Sequence, residues 1–194
     1  MIKYLGPKNK ISRKFNYYIY NKIIKRNKKL GYIKKRKYTN YSQYYYQLLE
    51  KQKIKYIYGL SEKQLKNFIL NKKYKKKNLI INCELRLDNM LYRFGYSNTR
   101  RQARQYINHK HILLNNKIFN IPSYQMKIND KITFKKKKLK NIINFINNIK
   151  KNNQYNNCGI YSENYTSVTL KSIPKIKNIL EKINIKLIIE YYYK

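Results

Sequence analysis

The 194-residue sequence predicts an α+β fold: a helical N-terminal domain, an inserted module of two helices and a small β-sheet, and basic extensions. Three observations predict it. Between Glu84 and Phe134, two amphipathic helical patterns run into short strand patterns. Between Tyr44 and Lys77, two further helical patterns occur without a strand pattern. The excess of positive charge, 46 Lys plus Arg against eight acids, is shared by every region, so the segments around these patterns read as basic extensions. Residues 1–83 are therefore expected to hold a basic extension and the first part of the helical domain. The module occupies 84–138, and 139–194 forms a C-terminal helical segment and a tail returning to the helical domain. The length suits one substantial domain or two small ones.

In order along the chain, Met1 to Lys37 joins Gly6-Pro7 to a Lys-rich tract from Lys22 to Lys37. This composition predicts an extended or turning segment that orders on its partner. From Tyr44, a helix is expected with Tyr44, Tyr45, Leu48 and Leu49 on its apolar face, while Gln52, Lys53 and Lys55 face solvent or phosphate. Beyond Gly59, Ser61 and Gln64 have capping-box spacing, and Leu65, Phe68 and Ile69 form the stripe of a second helix. The run Lys72 to Lys77 adds a dense positive field.

Within the module, Leu87, Leu91 and Phe94 recur at helical spacing, with Arg86 and Arg93 one heptad apart and Gly95 as a stop. Thr99 is the expected N-cap of the next helix, with Gln102 returning the bond. Ala103 and Ile107 form its apolar stripe, and Arg100 and Arg104 sit one turn apart on another face. A hairpin is expected around Asn115-Asn116, a break at Pro122, and a turn at Asn129-Asp130 before a strand over Lys131 to Phe134. Downstream, Leu139 to Ile149 suits a helix, Asn147 to Asn157 a loop, and Tyr165 to Leu170 a strand. Pro174 interrupts, Ile176 to Ile183 resumes a helix, and Ile185 to Tyr191 reads as strand-like.

A formal net charge of +38 opposes compactness unless a polyanion neutralises it, which points to nucleic acid. No run approaches the roughly 20 apolar residues of a membrane span, so no membrane partner is expected. The start lacks the basic-then-apolar layout of a secretory leader. Cys83 and Cys158 are isolated, so neither a zinc site nor a disulfide framework is suggested, and His109 with His111 lacks further ligands nearby. Scattered acids and the lack of a phosphate-cradling Gly loop leave no catalytic constellation; no cofactor is expected. Asn, Ile, Lys and Tyr dominate, a coding bias that lowers the weight of any single Lys or Tyr.

The runs Glu84-Leu85-Arg86-Leu87-Asp88-Asn89 with Tyr92-Arg93, Thr99-Arg100 through Ala103-Arg104-Gln105, His109 through Ile112, and Ile121-Pro122-Ser123-Tyr124 closely resemble the small-subunit ribosomal protein S-four family. Tyr4-Leu5-Gly6-Pro7-Lys8, Glu50-Lys51-Gln52-Lys53, Tyr58-Gly59, Gln64-Leu65 and Ile189-Glu190-Tyr191 extend the resemblance over most of the chain. Departures are the Lys-rich tract, the missing cysteine cluster of some members, and a short divergent segment from Lys150 to Ser172.

The resemblance implies a structural constituent of the small ribosomal subunit that binds a junction in the 5′ domain of small-subunit ribosomal RNA and promotes assembly. It also implies a place near the mRNA entrance beside the S-five protein, and support of decoding accuracy. The same module occurs in RNA-modifying and RNA-processing enzymes, which is the alternative reading. With the coding bias, the run Asn108 to Leu113 suggests a plastid-derived organelle, plastid or apicoplast, with a mitochondrion second.

The RNA contacts implied are Lys8, Arg13, Lys14, Lys51, Lys53, Arg86, Arg93, Thr99, Arg100, Arg101, Arg104, Gln105, His109, Lys110 and His111. Arginines at 86, 93, 100, 101 and 104 would supply forked hydrogen bonds that a Lys point charge does not reproduce. Asp88 is poorly suited to phosphate and is expected to orient an Arg or to cap local backbone. Tyr92, Tyr106 and Tyr124 are expected in the core rather than stacked on bases.

Overall fold

The computed structural model describes residues 6–15, 41–70, 79–135, 158–162, 166–174 and 183–193. The Lys22–Lys37 and Lys72–Lys77 tracts, the expected helices at Leu139–Ile149 and Ile176–Ile183, and the loop at Asn147–Asn157 lie outside the described residues, apart from Ile183. The chain divides into two compact units: Met1–Lys76 with Lys182–Lys194, and Lys77–Glu181.

The first unit is helical. Helix α1 spans Lys8–Phe15, where the sequence suggested an extended or turning chain. Proline is compatible with a helix start because no intrahelical partner awaits its missing N–H, and Lys10 N–H donates to the Pro7 carbonyl at 3.2 Å. Ile11 and Phe15, four residues apart, are both buried, and the Phe15 ring meets Tyr56 at 5.7 Å. Helix α2 spans Gln43–Tyr58, capped by the Ser42 hydroxyl and ended by Gly59 at φ 61°. Helix α3 spans Glu62–Leu70. Its capping box is reciprocal: Gln64 N–H donates to Ser61 Oγ at 3.2 Å, and Ser61 N–H to Gln64 Oε1 at 3.1 Å.

The buried face of α2 differs from the expected one. Tyr44 is exposed and Tyr45, Leu48 and Leu49 are half-buried, whereas Gln47, Lys51, Lys53, Ile54, Ile57 and Tyr58 are buried. The reason lies at the other end of the chain, where Ile185–Tyr192, read as strand-like, forms a helix, α7. Helix α7 packs along α2. Its Glu190 accepts a hydrogen bond from Gln47 Nε2 at 3.1 Å, and its Tyr191 ring lies 4.0 Å from Lys51 Nζ. Polar partners on α7 thus allow polar α2 side chains to be buried, and this packing overrides the strand preference of the Ile-rich segment.

The second unit begins with a short helix, α4 (Leu79–Glu84), which the sequence pattern did not reveal. Helix α5 spans Leu87–Arg93 and α6 spans Arg100–Asn108. Gly95, at φ 79°, ends α5: its N–H donates to the Tyr92 carbonyl, and Tyr96 N–H reaches back to Leu91, both at 3.0 Å. This is the paired closure that a left-handed residue after a helix permits.

The sheet order is β2-β1-β3-β5-β4, all antiparallel, with strands Ile112–Leu114, Lys117–Ile118, Lys131–Phe134, Gly159–Tyr161 and Ser167–Leu170 numbered β1 to β5 along the chain. Asn115 and Asn116 form the expected two-residue turn with φ 50° and 66°. Glycine is not needed at 115 because its side chain is anchored: Nδ2 donates to Asp130 Oδ1 at 2.9 Å and Oδ1 accepts from Lys131 N–H at 2.8 Å. Strand β5 lies within the expected Tyr165–Leu170 stretch. Strand β4 was not anticipated. Strands β4 and β5 belong to the second unit, and the chain from Lys182 onward to the first.

One sheet face and helices α5 and α6 enclose a core of Leu87, Met90, Leu91, Phe94, Ala103, Ile107, Ile112, Ile132 and Val168. Each large apolar side chain removed from water here contributes roughly 1.5–3 kcal/mol. Gly159 is held small by this packing, since a Cβ there would lie 2.6 Å from Phe94 Cε1. Among the described residues no helix is long and apolar enough to cross a membrane, and no group of three His, Cys, Asp or Glu could hold a metal ion.

Candidate nucleic-acid interface

Helix α5 starts against the loop that follows the hairpin. Leu87 N–H donates to Tyr124 O at 2.8 Å and Asp88 N–H to Pro122 O at 3.2 Å, while Met126 N–H donates to Leu85 O at 2.8 Å. The loop carbonyls thus satisfy two helix donors that have no intrahelical partner. Helix α6 has its own cap: Gln102 N–H donates to Thr99 Oγ1 at 3.1 Å. The returning bond reaches one residue further than the sequence spacing suggested, from Asn98 N–H to Gln102 Oε1 at 2.9 Å. Losing such a cap costs typically ~1 kcal/mol.

Around α5 lies a compact set of ion pairs that joins it to α4 and α6. Arg86 grips Asp88 through Nε at 3.2 Å and Nη2 at 3.1 Å, and Arg104 Nε donates to the same carboxylate from α6. Asp88 therefore orients arginines, as expected. Glu84, at the end of α4, accepts from Arg93 Nε at 3.0 Å and Nη2 at 2.8 Å. All three arginine side chains are at most 6% exposed, so desolvation makes each dependent on its carboxylate. This burial was not visible in the sequence, where the same residues read as one basic patch.

The residues that the sequence grouped as RNA contacts thus fall into separate settings. Arg101 and Gln105 are exposed one turn apart on α6, and His109 and Lys110 continue the exposed line beyond its end. Lys110 turns the chain into β1 with φ 56°, and half-buried His111 stacks on His109 at 5.9 Å. Arg100 is half-buried, its Nε donating to Asn89 Oδ1 at 2.7 Å and its guanidinium 4.6 Å from the Tyr92 ring centre. Tyr92, Tyr106 and Tyr124 are all half-buried. Tyr106 lies edge-on to Phe134, and Tyr124 packs on Phe119 and donates to Asp130 Oδ2 at 3.1 Å. Burial, reinforced by the Asp130 contact, raises the Tyr124 pKa.

In the first unit, Lys8 begins α1, and Arg13 and Lys14 are exposed on it. Lys51 and Lys53 are instead buried among internal partners. Lys53 Nζ bonds Glu50 at 3.3 Å, while Lys51 Nζ lies 3.1 Å from Glu62 Oε1. Lys55 Nζ meets the other Glu62 oxygen at 2.6 Å, and Tyr192 OH donates to Oε1 at 2.6 Å. Burial alone would raise the Glu62 pKa, but the bonds from Lys55, Tyr192 and Lys51 pull it down to about 2.

Sequence reasoning passed over Asn89 and the partners of Glu84 and Asp130. Asn89 is a buried amide on the face of α5 opposite Leu87 and Leu91, five residues beyond an acid whose carboxylate it meets. A broader pattern joins these sites: each of the six carboxylates among the described residues, Glu50, Glu62, Glu84, Asp88, Asp130 and Glu190, is tied to an internal partner. Little negative charge on these elements is therefore left to repel a polyanion.

Two family models match the chain: a ribosomal protein S4/S9 N-terminal domain over residues 3–84 and an S4 domain over residues 85–132. Among similar proteins, the small ribosomal subunit proteins uS4 of Karelsulcia muelleri and Amoebophilus asiaticus are each 42% identical, with both chains covered in full. The protein of the same name from Lachnoclostridium phytofermentans is 52% identical over 50% of this chain and 51% of its own.

Proposed function

The chain belongs to the small-subunit ribosomal protein S-four family, and from that premise we propose that it is a structural RNA-binding constituent of the small ribosomal subunit. The surface it binds is a multi-helix junction in the 5′ domain of small-subunit ribosomal RNA. By holding that junction it promotes subunit assembly, and from there it lies near the mRNA entrance beside the S-five protein and supports decoding accuracy.

The observation that carries this reading is the separation of charge. Internal cations and donors occupy the described carboxylates, while Arg101, Gln105, His109 and Lys110 form an exposed line on one rigid support. Folded RNA offers phosphates and 2′-hydroxyls at fixed spacing, and its deep major groove keeps side chains from reading bases. A rigid row of donors recognises that spacing. On this reading Arg100, Arg101, Gln105, His109, Lys110 and His111 meet the junction. Thr99 fixes the start of their helix, and Arg86, Arg93 and Arg104 hold the helices in register from within. Lys8, Arg13 and Lys14 add sequence-independent attraction, and Lys51 and Lys53 brace α2.

The compartment we propose is a bacterial-type ribosome. The Asn, Ile, Lys and Tyr bias and the run 108–113 support a plastid-derived organelle, with a mitochondrion second, while the matched relatives are bacterial proteins. Titration of the full chain against junction RNA and against duplex RNA of equal length at physiological salt tests the proposal. A clear preference for the junction is expected, and equal affinities would overturn it.

A further inference from the structure

We infer that Asn89 is a positioning residue that fixes the plane of the Arg100 guanidinium, so that its fork meets one RNA phosphate in a set orientation and adds selectivity for the folded junction. This rests on the junction-binding reading proposed above and names a residue through which that selectivity is built.

The geometry is a relay of three side chains. Asn89 is 1% exposed, so its amide cannot exchange partners with water. Its Nδ2 donates to the Glu84 carbonyl at 2.9 Å and to Glu84 Oε2 at 2.6 Å. An amide nitrogen has two hydrogens, and with both engaged the amide plane is determined and Oδ1 is left as the acceptor. That oxygen takes the Arg100 Nε hydrogen at 2.7 Å. Glu84 is itself held by the Arg93 fork, so the first member of the relay does not swing.

Arg100 is constrained a second time, through its face. The guanidinium carbon lies 4.6 Å from the ring centre of Tyr92, which directly precedes Arg93 in α5. A planar group fixed by Nε at one edge and by an aromatic ring on one face retains little freedom to rotate. Bidentate recognition of phosphate requires both Nη groups in the plane of two phosphate oxygens, so fixing that plane beforehand lowers the ordering cost of binding. A lysine at this position would carry the same charge without the plane. Duplex RNA, which any array of positive charge attracts, gains little from the arrangement. A junction phosphate held at one position gains most.

The test uses the full chain with four variants: Asn89→Ala, Arg100→Ala, the double variant, and Arg100→Lys. Each is titrated against junction and duplex RNA at matched salt, with thermal melting followed by circular dichroism. The cost of ordering one freed side chain on binding, converted to affinity, predicts a fall of roughly two- to tenfold in junction binding for Asn89→Ala, with duplex binding nearly unchanged. The double variant is expected to match Arg100→Ala, because Asn89 acts only through Arg100. Wild-type junction affinity in Asn89→Ala, or losses that multiply in the double variant, would overturn the inference. Should Asn89→Ala fail to fold, Arg100→Lys decides: it is expected to lose junction selectivity as Arg100→Ala does, and wild-type selectivity would overturn the inference. A wild-type chain that binds both RNAs alike overturns the underlying function, whereas selectivity that survives in both Asn89→Ala and Arg100→Lys overturns this inference alone.

Discussion

Asp88 and Glu62 each sit between two cations, yet in different surroundings. Asp88, on α5 in the second unit, is 2% exposed at its side chain and bridges two buried arginines. Glu62, at the start of α3 in the first unit, is 47% exposed and bridges Lys51 and Lys55. Screening by water and salt weakens the second arrangement but hardly reaches the first. The same number of charges therefore makes an internal framework in one unit and a peripheral tie in the other. Arginine suits the former because its fork satisfies a carboxylate from two directions at once, as Arg86 does.

The largest expected effect comes from removing the buried bridge. Asp88→Ala leaves Arg86 and Arg104 without their countercharge and should cost about 3–5 kcal/mol in urea unfolding of the full chain. Because the chain has two compact units, the loss should fall on the transition of the second and leave that of the first in place. A smaller effect is expected from Lys51→Ala, which removes the cation over the Tyr191 ring and the pair with Glu62. Burial opposes the charge on Lys51, but bonds with Tyr191 and Glu62 outweigh it and raise its pKa, so the cation persists throughout the physiological range. Its removal should lower the first unit's stability by roughly 0.5–2 kcal/mol. Similar losses in both units for both variants would erase the contrast.

Glu62→Gln should have the smallest effect, under about 1 kcal/mol, and 1 M salt should abolish it. Its pH signature is specific. The folded pKa of about 2 lies below the ordinary 4.5, so its contribution is complete above about pH 4.5 and fades as pH falls toward 2. A pH titration of melting temperature in wild type and Glu62→Gln should therefore converge at low pH. Curves that stay parallel across that window would contradict the bridge.

Local signals were legible where the chain closes its own hydrogen bonds. Ser61 with Gln64, Thr99 with Gln102, Gly95 and the Asn115-Asn116 turn act within a few residues, so spacing alone reveals them. What depends on distant partners was not legible. The Ile-rich stretch Ile185–Tyr192 became a helix because α2 supplies Gln47 and Lys51 across 140 or so residues of chain. For the same reason the apolar face of α2 was misassigned, since lysine and glutamine are ordinarily outside. Helix α1 was hidden by Gly6-Pro7, which mark turns as readily as helix starts.

In the candidate interface, residue types were legible but their division of labour was not. Arg86, Arg93, Arg100, Arg101 and Arg104 look alike as a string, and only the positions of Glu84, Asp88 and Asn89 in space separate the internal cations from those facing outward. Lys51 and Lys53 were grouped with the RNA contacts on resemblance, and their burial beside Glu62 and Glu50 became apparent only from packing.

The central claim is that a rigid line on α6 recognises the junction while the basic N-terminal helix only attracts RNA. The most direct measurement compares two triple variants of the full chain, Arg101→Ala with Gln105→Ala and Lys110→Ala, against Lys8→Ala with Arg13→Ala and Lys14→Ala. Binding to junction and duplex RNA is followed over a range of salt. The α6 variant should lose its preference for the junction. The α1 variant should weaken on both RNAs alike, its salt slope falling by about one unit for each phosphate that the protein no longer neutralises. Equal loss of junction preference in the two variants would contradict the account.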